Sequence, residues 1–159
     1  MKKTMITEHF SLEEMTRSNT LNTFNAKRDT GRRNLPDDKS LENLKSLCIH
    51  LEMLRKYLGK ALIINSGYRS DFVNKLVGGA EHSLHKQGLA ADIYLPIDEM
   101  ADVAAFAMNL PKAKEVLMSV SKSGRPWLHF AISTAETVTC RVGIDYDGNI
   151  RYTLHYKKH

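Results

Sequence analysis

The chain of 159 residues is poor in cysteine: it has two, Cys48 and Cys140, and no Cys-x-x-Cys pair. That excludes a thiolate zinc site and a disulfide framework. Cys48 falls on an apolar helical face and is expected as a buried thiol, although pairing with Cys140 stays open at this stage. No dense run of Lys and Arg interleaves with aromatics, so a nucleic-acid partner is not expected. The formal net charge of +5 is mildly basic, which is read first as solubility and second as attraction to an anionic polymer such as cell-wall glycan. The opening Met1–Glu8 carries positive charge with no apolar run after it, so no secretory signal is expected. No apolar stretch is long enough to span a membrane, and the expected location is cytoplasmic. Repeats, low-complexity tracts and linkers are also missing, so residues 1–159 are expected to form a single domain.

Periodic apolar residues supply the positive signal. Ser11 with Glu14 forms a capping box for a short helix, and the polar stretch 19–34 reads as a long loop. A helix is predicted from Pro36-Asp37-Asp38 to just before Gly59. Leu41, Leu44, Cys48, Leu51, Leu54 and Leu58 form its core stripe, and His50 lies off that stripe on the surface. Ala61–Ile64 reads as a central strand, and Ser70 as the N-cap of a helix over 71–77. A further helix is expected from Pro96 to about Leu110, then strands over 115–120 and through His129. A hairpin over 137–144 and 150–156 turns at Asp147-Gly148. Helices come early and strands cluster late, which predicts an α+β fold with a small antiparallel sheet.

Two strands carry candidate chemistry. In Ser83-Leu84-His85-Lys86-Gln87-Gly88-Leu89-Ala90-Ala91-Asp92 a loop enters a strand in which Asp92 points away from Ala91 and Ile93. His85 precedes it, so an imidazole and a carboxylate are presented together, a donor pair suited to a zinc-type metal. In Trp127–Ile132 the residues Leu128, Phe130 and Ile132 form the apolar face, and His129 points the other way. His85, Asp92 and His129 would make three protein ligands with a fourth position open, the count of a catalytic rather than a structural zinc.

Ser83-x-His85-x-x-Gly88-x-Ala90-x-Asp92 resembles the zinc-site signature of the D-alanyl-D-alanine carboxypeptidase family, which includes L-alanyl-D-glutamate endopeptidases of phage endolysins. Trp127-Leu128-His129 is similar to its third-ligand strand. Ser66-Gly67-Tyr68-Arg69-Ser70 and His9-Phe10-Ser11-Leu12-Glu13-Glu14-Met15 are similar to two further elements, so the likeness runs from about Phe10 to Ile132. The resemblance implies a Hedgehog/DD-peptidase-like fold, one zinc ion per chain, and hydrolysis of peptide bonds in peptidoglycan stem peptides. It implies that Arg69 engages a substrate carboxylate or the developing oxyanion. Ser83 would bond the substrate or brace its loop, and Tyr68 and Trp127 would wall a cleft. With no signal, such a protein would be cytoplasmic until released, or a phage-encoded lysis protein. The family usually places its general base three residues before the last histidine, and here that residue is Pro126. Some members carry an acid near the position of Val120, which also lacks one. Glu115, Glu81 and His82 are the remaining candidates, and slow turnover is expected. Two other readings follow: a zinc-containing wall-peptide binder without catalysis, and a protein-interaction module like the Hedgehog signalling domain.

Overall fold

The computed structural model describes residues 2–158, with side chains through His155. Three helices come first: α1 (Leu12–Met15), α2 (Asn19–Arg28) and α3 (Asp38–Leu58). Strand β1 (Ile63–Ser66), helix α4 (Asp71–Leu76), one 3-10 turn (Leu84–Gln87), strand β2 (Ala90–Tyr94) and helix α5 (Ile97–Met108) follow. The chain ends in β3 (Ala113–Val120), β4 (Pro126–Ile132), β5 (Val138–Tyr146) and β6 (Asn149–Lys158). The six strands form one sheet in the order β1-β2-β4-β3-β5-β6. Every pairing is antiparallel except β3 with β5. The α+β class therefore holds, with one parallel pair inside a mostly antiparallel sheet.

The long helix starts where Asp37 accepts a hydrogen bond from the Ser40 amide at 2.7 Å, and it stops at Gly59, whose φ of 67° suits glycine. Its Leu44, Leu47, Cys48, Leu51 and Leu54 are fully buried, each such leucine contributing about 1.5–3 kcal/mol. They join Val103, Ala104 and Ala107 of α5 and the sheet residues Ile64, Ile93, Val116, Leu128 and Phe130 in one core. Because strand side chains alternate, the residues between these sheet positions project to the opposite face. That face carries the site.

Three expectations change. The stretch 19–34 is not all loop, because α2 occupies 19–28. Only Leu21 of that helix is buried, so no apolar stripe announced it. It is fixed instead by Ser18, which accepts from the Leu21 amide at 3.2 Å, and by Phe24 packing edge-on against Phe72. His50 is buried, not on the surface: its Nδ1 donates to the Ser46 carbonyl at 2.8 Å and its ring lies beside Phe130. The strand over 63–66 is at the sheet edge, not its centre. Cys48 and Cys140 are both buried thiols with no disulfide between them. Burial, with Glu14 and Glu52 nearby, pushes the Cys48 thiol up to about 12.

Candidate metal centre

Strand register assembles the site. One row crosses the sheet from Ser66 through Asp92, His129, Leu117 and Gly143 to Tyr152. A second row, one step along, runs from Trp127 through Ser119 and Asp145 to Ile150. A bulge at Lys114 brings Glu115 opposite Ala131, on the face that carries His129. The rows floor a cleft of about 560 Å³.

His85 reaches this cleft from the 3-10 turn. Ser83 caps that turn by accepting from the His85 amide at 3.3 Å, and Gly88 ends it with φ 71°. The turn is tied to the strand-end loop after β1 twice: the Arg69 amide donates to the His85 carbonyl at 3.0 Å, and His85 Nδ1 lies 2.7 Å from the Gly67 carbonyl oxygen. A carbonyl only accepts, so Nδ1 carries the proton and Nε2 turns a lone pair inward. Burial pushes the His85 pKa down, against the pull of Asp92, and keeps that ring neutral.

Asp92 Oδ1 is the point of convergence. It lies 3.3 Å from His85 Nε2 and 2.9 Å from His129 Nδ1, while Oδ2 accepts from Arg69 Nη2 at 3.0 Å. Arg69 is itself fixed by its Nε donating to Ser66 Oγ at 2.9 Å. Burial would raise the Asp92 pKa, but His85 and His129 hold it well below the ordinary carboxylate range. His129 has a carboxylate on each side, with Glu115 Oε2 3.3 Å from its Nε2. Burial alone would lower its pKa; the bonds to Asp92 and Glu115 reverse this and raise it to about 9. Glu115 also pairs with Arg141, whose guanidinium lies over the Tyr152 ring. The bond from His129, opposed by burial, leads the fall of the Glu115 pKa to about 2.

One ligand atom from each of His85, Asp92 and His129 lies within 4.8 Å of the other two, so the group can hold a metal ion. The donor chemistry fits. A neutral imidazole faces a carboxylate oxygen with its lone pair, and a proton on His129 Nδ1 occupies the position a cation would take.

The other sequence candidates are distributed unevenly. Arg69, Ser83, His82 and Trp127 line the cleft. Tyr68 does not wall it: that ring is 8% exposed and packs in the core, because the Tyr68 amide is drawn inward to the Met15 carbonyl. Glu81 is exposed and absent from the cleft lining; its carbonyl accepts from Lys86 Nζ, and among the described residues no ion pair holds its carboxylate. Glu115 reaches the site, but through the far nitrogen of His129. Strand alternation turns Pro126 and Val120 to the face away from His129. Sequence reading missed Arg141, Ser119, Asp145, Ile150 and Tyr152. The 115, 117, 119 alternation of one strand could have found Ser119, but nothing local announces a contribution from the last hairpin.

Among the described residues no helix is long and apolar enough to cross a membrane. No curated protein matches the chain. The family described as Peptidase M15 matches residues 8–129, a span that contains the cap of the first helix, the Gly67–Arg69 loop and all three converging side chains. The chain belongs to the peptidase M15 family.

Proposed function

We propose that the protein is a zinc peptidase acting on peptidoglycan stem peptides. The observation that carries this reading is the convergence of His85 Nε2 and His129 Nδ1 on Asp92 Oδ1 at the floor of a cleft, in a peptidase family. His85, Asp92 and His129 would hold one zinc ion per chain. When bound, zinc supplies a Lewis acid for the scissile carbonyl and for the attacking water.

The protein groups divide the remaining work. Gly67 fixes the tautomer of His85, and Glu115 does the same for His129. Arg69 lines the cleft and is held by Asp92 through Nη2 and by Ser66 through Nε, which leaves Nη1 to meet a substrate carboxylate or developing oxyanion. Trp127 gives the substrate an apolar wall. Glu115 is a poor base, because His129 and Arg141 engage its two oxygens. His82 is exposed and lines the cleft, and among the described residues no side-chain hydrogen bond or ion pair engages it; one of its imidazole nitrogens would take the proton of the attacking water.

Metal analysis together with turnover of isolated muropeptides tests this. The purified chain is expected to carry about one zinc and to cleave the peptides. His82→Asn is expected to keep the metal and lose about 100-fold or more in rate. Absence of stoichiometric zinc would overturn the reading. Zinc without turnover on any wall peptide would leave a wall-peptide binder, a second reading favoured by the engaged state of Glu115. The proposed setting is a lysis protein that meets the wall after release.

A further inference from the structure

We infer that the end of the cleft beyond the metal ligands is a subsite for a primary ammonium group of the substrate, formed by Ser119 and Asp145 and walled by Trp127, Ile150 and Tyr152. It rests on the peptide-hydrolysis reading only for the identity of the substrate; the subsite itself is argued from the second cross-sheet row.

Ser119 sits opposite Trp127 on one side and Asp145 on the other, and Asp145 sits opposite Ile150. All four side chains line the cleft. Ser119 is 1% exposed, and its hydroxyl has no hydrogen-bond partner among the described residues. A buried hydroxyl in that state has given up a bond it had in water, which an incoming group can restore. Asp145 uses Oδ1 to accept from the Gly148 amide at 2.9 Å, which shapes the hairpin turn. Its other oxygen is engaged by no Lys or Arg among the described residues. The site thus offers, among the described residues, a hydroxyl without a partner and a carboxylate oxygen that no Lys or Arg pairs with, side by side and next to the Trp127 ring.

An ammonium matches this set. It brings three donors and no acceptor, so it satisfies the Ser119 oxygen and Asp145 Oδ2 together, and the Trp127 ring favours a cation, the Tyr152 ring already carrying the Arg141 guanidinium. A carboxylate would be repelled by Asp145, and a neutral group would leave that charge unpaired. The spacing also fits. The row lies two residues along the strand from the one that carries His129, about 7 Å. That is the reach of a lysine-like side chain from a backbone held near the metal ligands. With Arg69 facing the same cleft, the substrate would be bound by charges of opposite sign at separate points. The stem peptide would be one whose diamino acid keeps a free side-chain amine.

The test uses the zinc-loaded full chain and two stem-peptide fragments of one sequence, one with a free lysine amine and the other Nε-acetylated. Binding is followed by calorimetry and cleavage by product analysis. The free amine is expected to bind about tenfold tighter or more. Asp145→Asn keeps an oxygen for Gly148, so the turn survives while the preference disappears. Ser119→Ala is expected to weaken the free-amine peptide severalfold and to leave thermal stability unchanged or raised, since it removes an unbonded hydroxyl. Equal affinities, no binding of either peptide, or a preference that persists in Asp145→Asn would overturn the subsite. Cleavage without amine preference would remove the subsite and leave the peptidase reading standing. Amine preference without cleavage would do the reverse.

Discussion

The two histidines of the centre are held by different means. His85 belongs to the half built from β1, the 3-10 turn and β2, and its outer nitrogen is bound by a backbone carbonyl, that of Gly67. His129 belongs to the half built from β3 to β6, and its outer nitrogen is bound by a side chain, Glu115, with Arg141 behind it. A backbone anchor needs a particular loop conformation, and so fixes a run of neighbouring residue types. A side-chain anchor needs one carboxylate at one register position, and leaves its neighbours open. The two halves should therefore respond differently to substitution.

Removing either imidazole tests what the halves share, and it is the largest effect expected. His85→Ala and His129→Ala should each lose most of the bound zinc, read by metal analysis of purified protein. If both variants kept the full complement, the ligand assignment would be wrong and the comparison would end there.

Disturbing the anchors instead of the ligands separates the halves. Glu115→Gln should lower zinc affinity about 10- to 100-fold, with activity recovered at saturating zinc. Chelator competition measures the first and a zinc titration of turnover the second. Collapse of turnover with zinc affinity unchanged would make Glu115 the general base and break the contrast. Gly67→Ala acts through the fold: a Cβ there would run into the Met15 carbonyl oxygen, which already accepts from the Tyr68 amide. It should cost about 1–3 kcal/mol of stability and weaken zinc binding only as the Gly67 carbonyl moves off His85. Thermal melting of the metal-free protein reads the first part. An unchanged melting temperature would mean that the loop tolerates the shift.

The same division explains what could be read from the sequence. The first half was legible because its chemistry is local. Ser83, His85, Gly88 and Asp92 lie within ten residues, and Gly67 and Arg69 lie in one short loop. His129 was legible because alternation with Leu128 and Phe130 fixes its face. Glu115 was visible as an acid on a strand, but its role depends on the bulge at Lys114 and on pairing with β4, neither of which has a local signal. Arg141, Asp145 and Tyr152 lie beyond residue 129, where the family match ends. Asp145 and Tyr152 line the cleft and Arg141 reaches Glu115 because β5 pairs parallel with β3 and carries β6 beside it, and clustered late strands had predicted an antiparallel sheet. Tyr68 and His50 failed for a related reason. Tyr68 was placed by the family resemblance and His50 by its helical neighbours, and each is set by a distant partner: the Met15 carbonyl for the Tyr68 backbone, and Phe130 beside the His50 ring.

The smallest expected effects come from the two arginines, each of which grips a carboxylate of the centre. Arg69 holds Asp92, with its side chain 16% exposed and a second bond from Nε to Ser66. Arg141 holds Glu115, with its side chain 39% exposed and its guanidinium over Tyr152. Lysine keeps the charge at either position and loses the planar fork. At Arg69 a lysine ammonium cannot bond Ser66 and Asp92 in the guanidinium's plane and still meet a substrate. Arg69→Lys should therefore weaken binding of a peptide with a free carboxylate about tenfold while zinc content stays the same. Arg141 is the water-exposed partner of its pair, and exposed ion pairs contribute about 0–1 kcal/mol, so Arg141→Lys should change zinc affinity by no more than about fivefold. Peptide binding by calorimetry and zinc affinity by chelator competition, run on both variants, compare the halves directly. An Arg141→Lys loss as large as that of Glu115→Gln would mean that the arginine, not the carboxylate alone, fixes His129. An Arg69→Lys protein that binds the peptide as the parent does would take Arg69 out of the substrate site and leave it only as the clamp on Asp92.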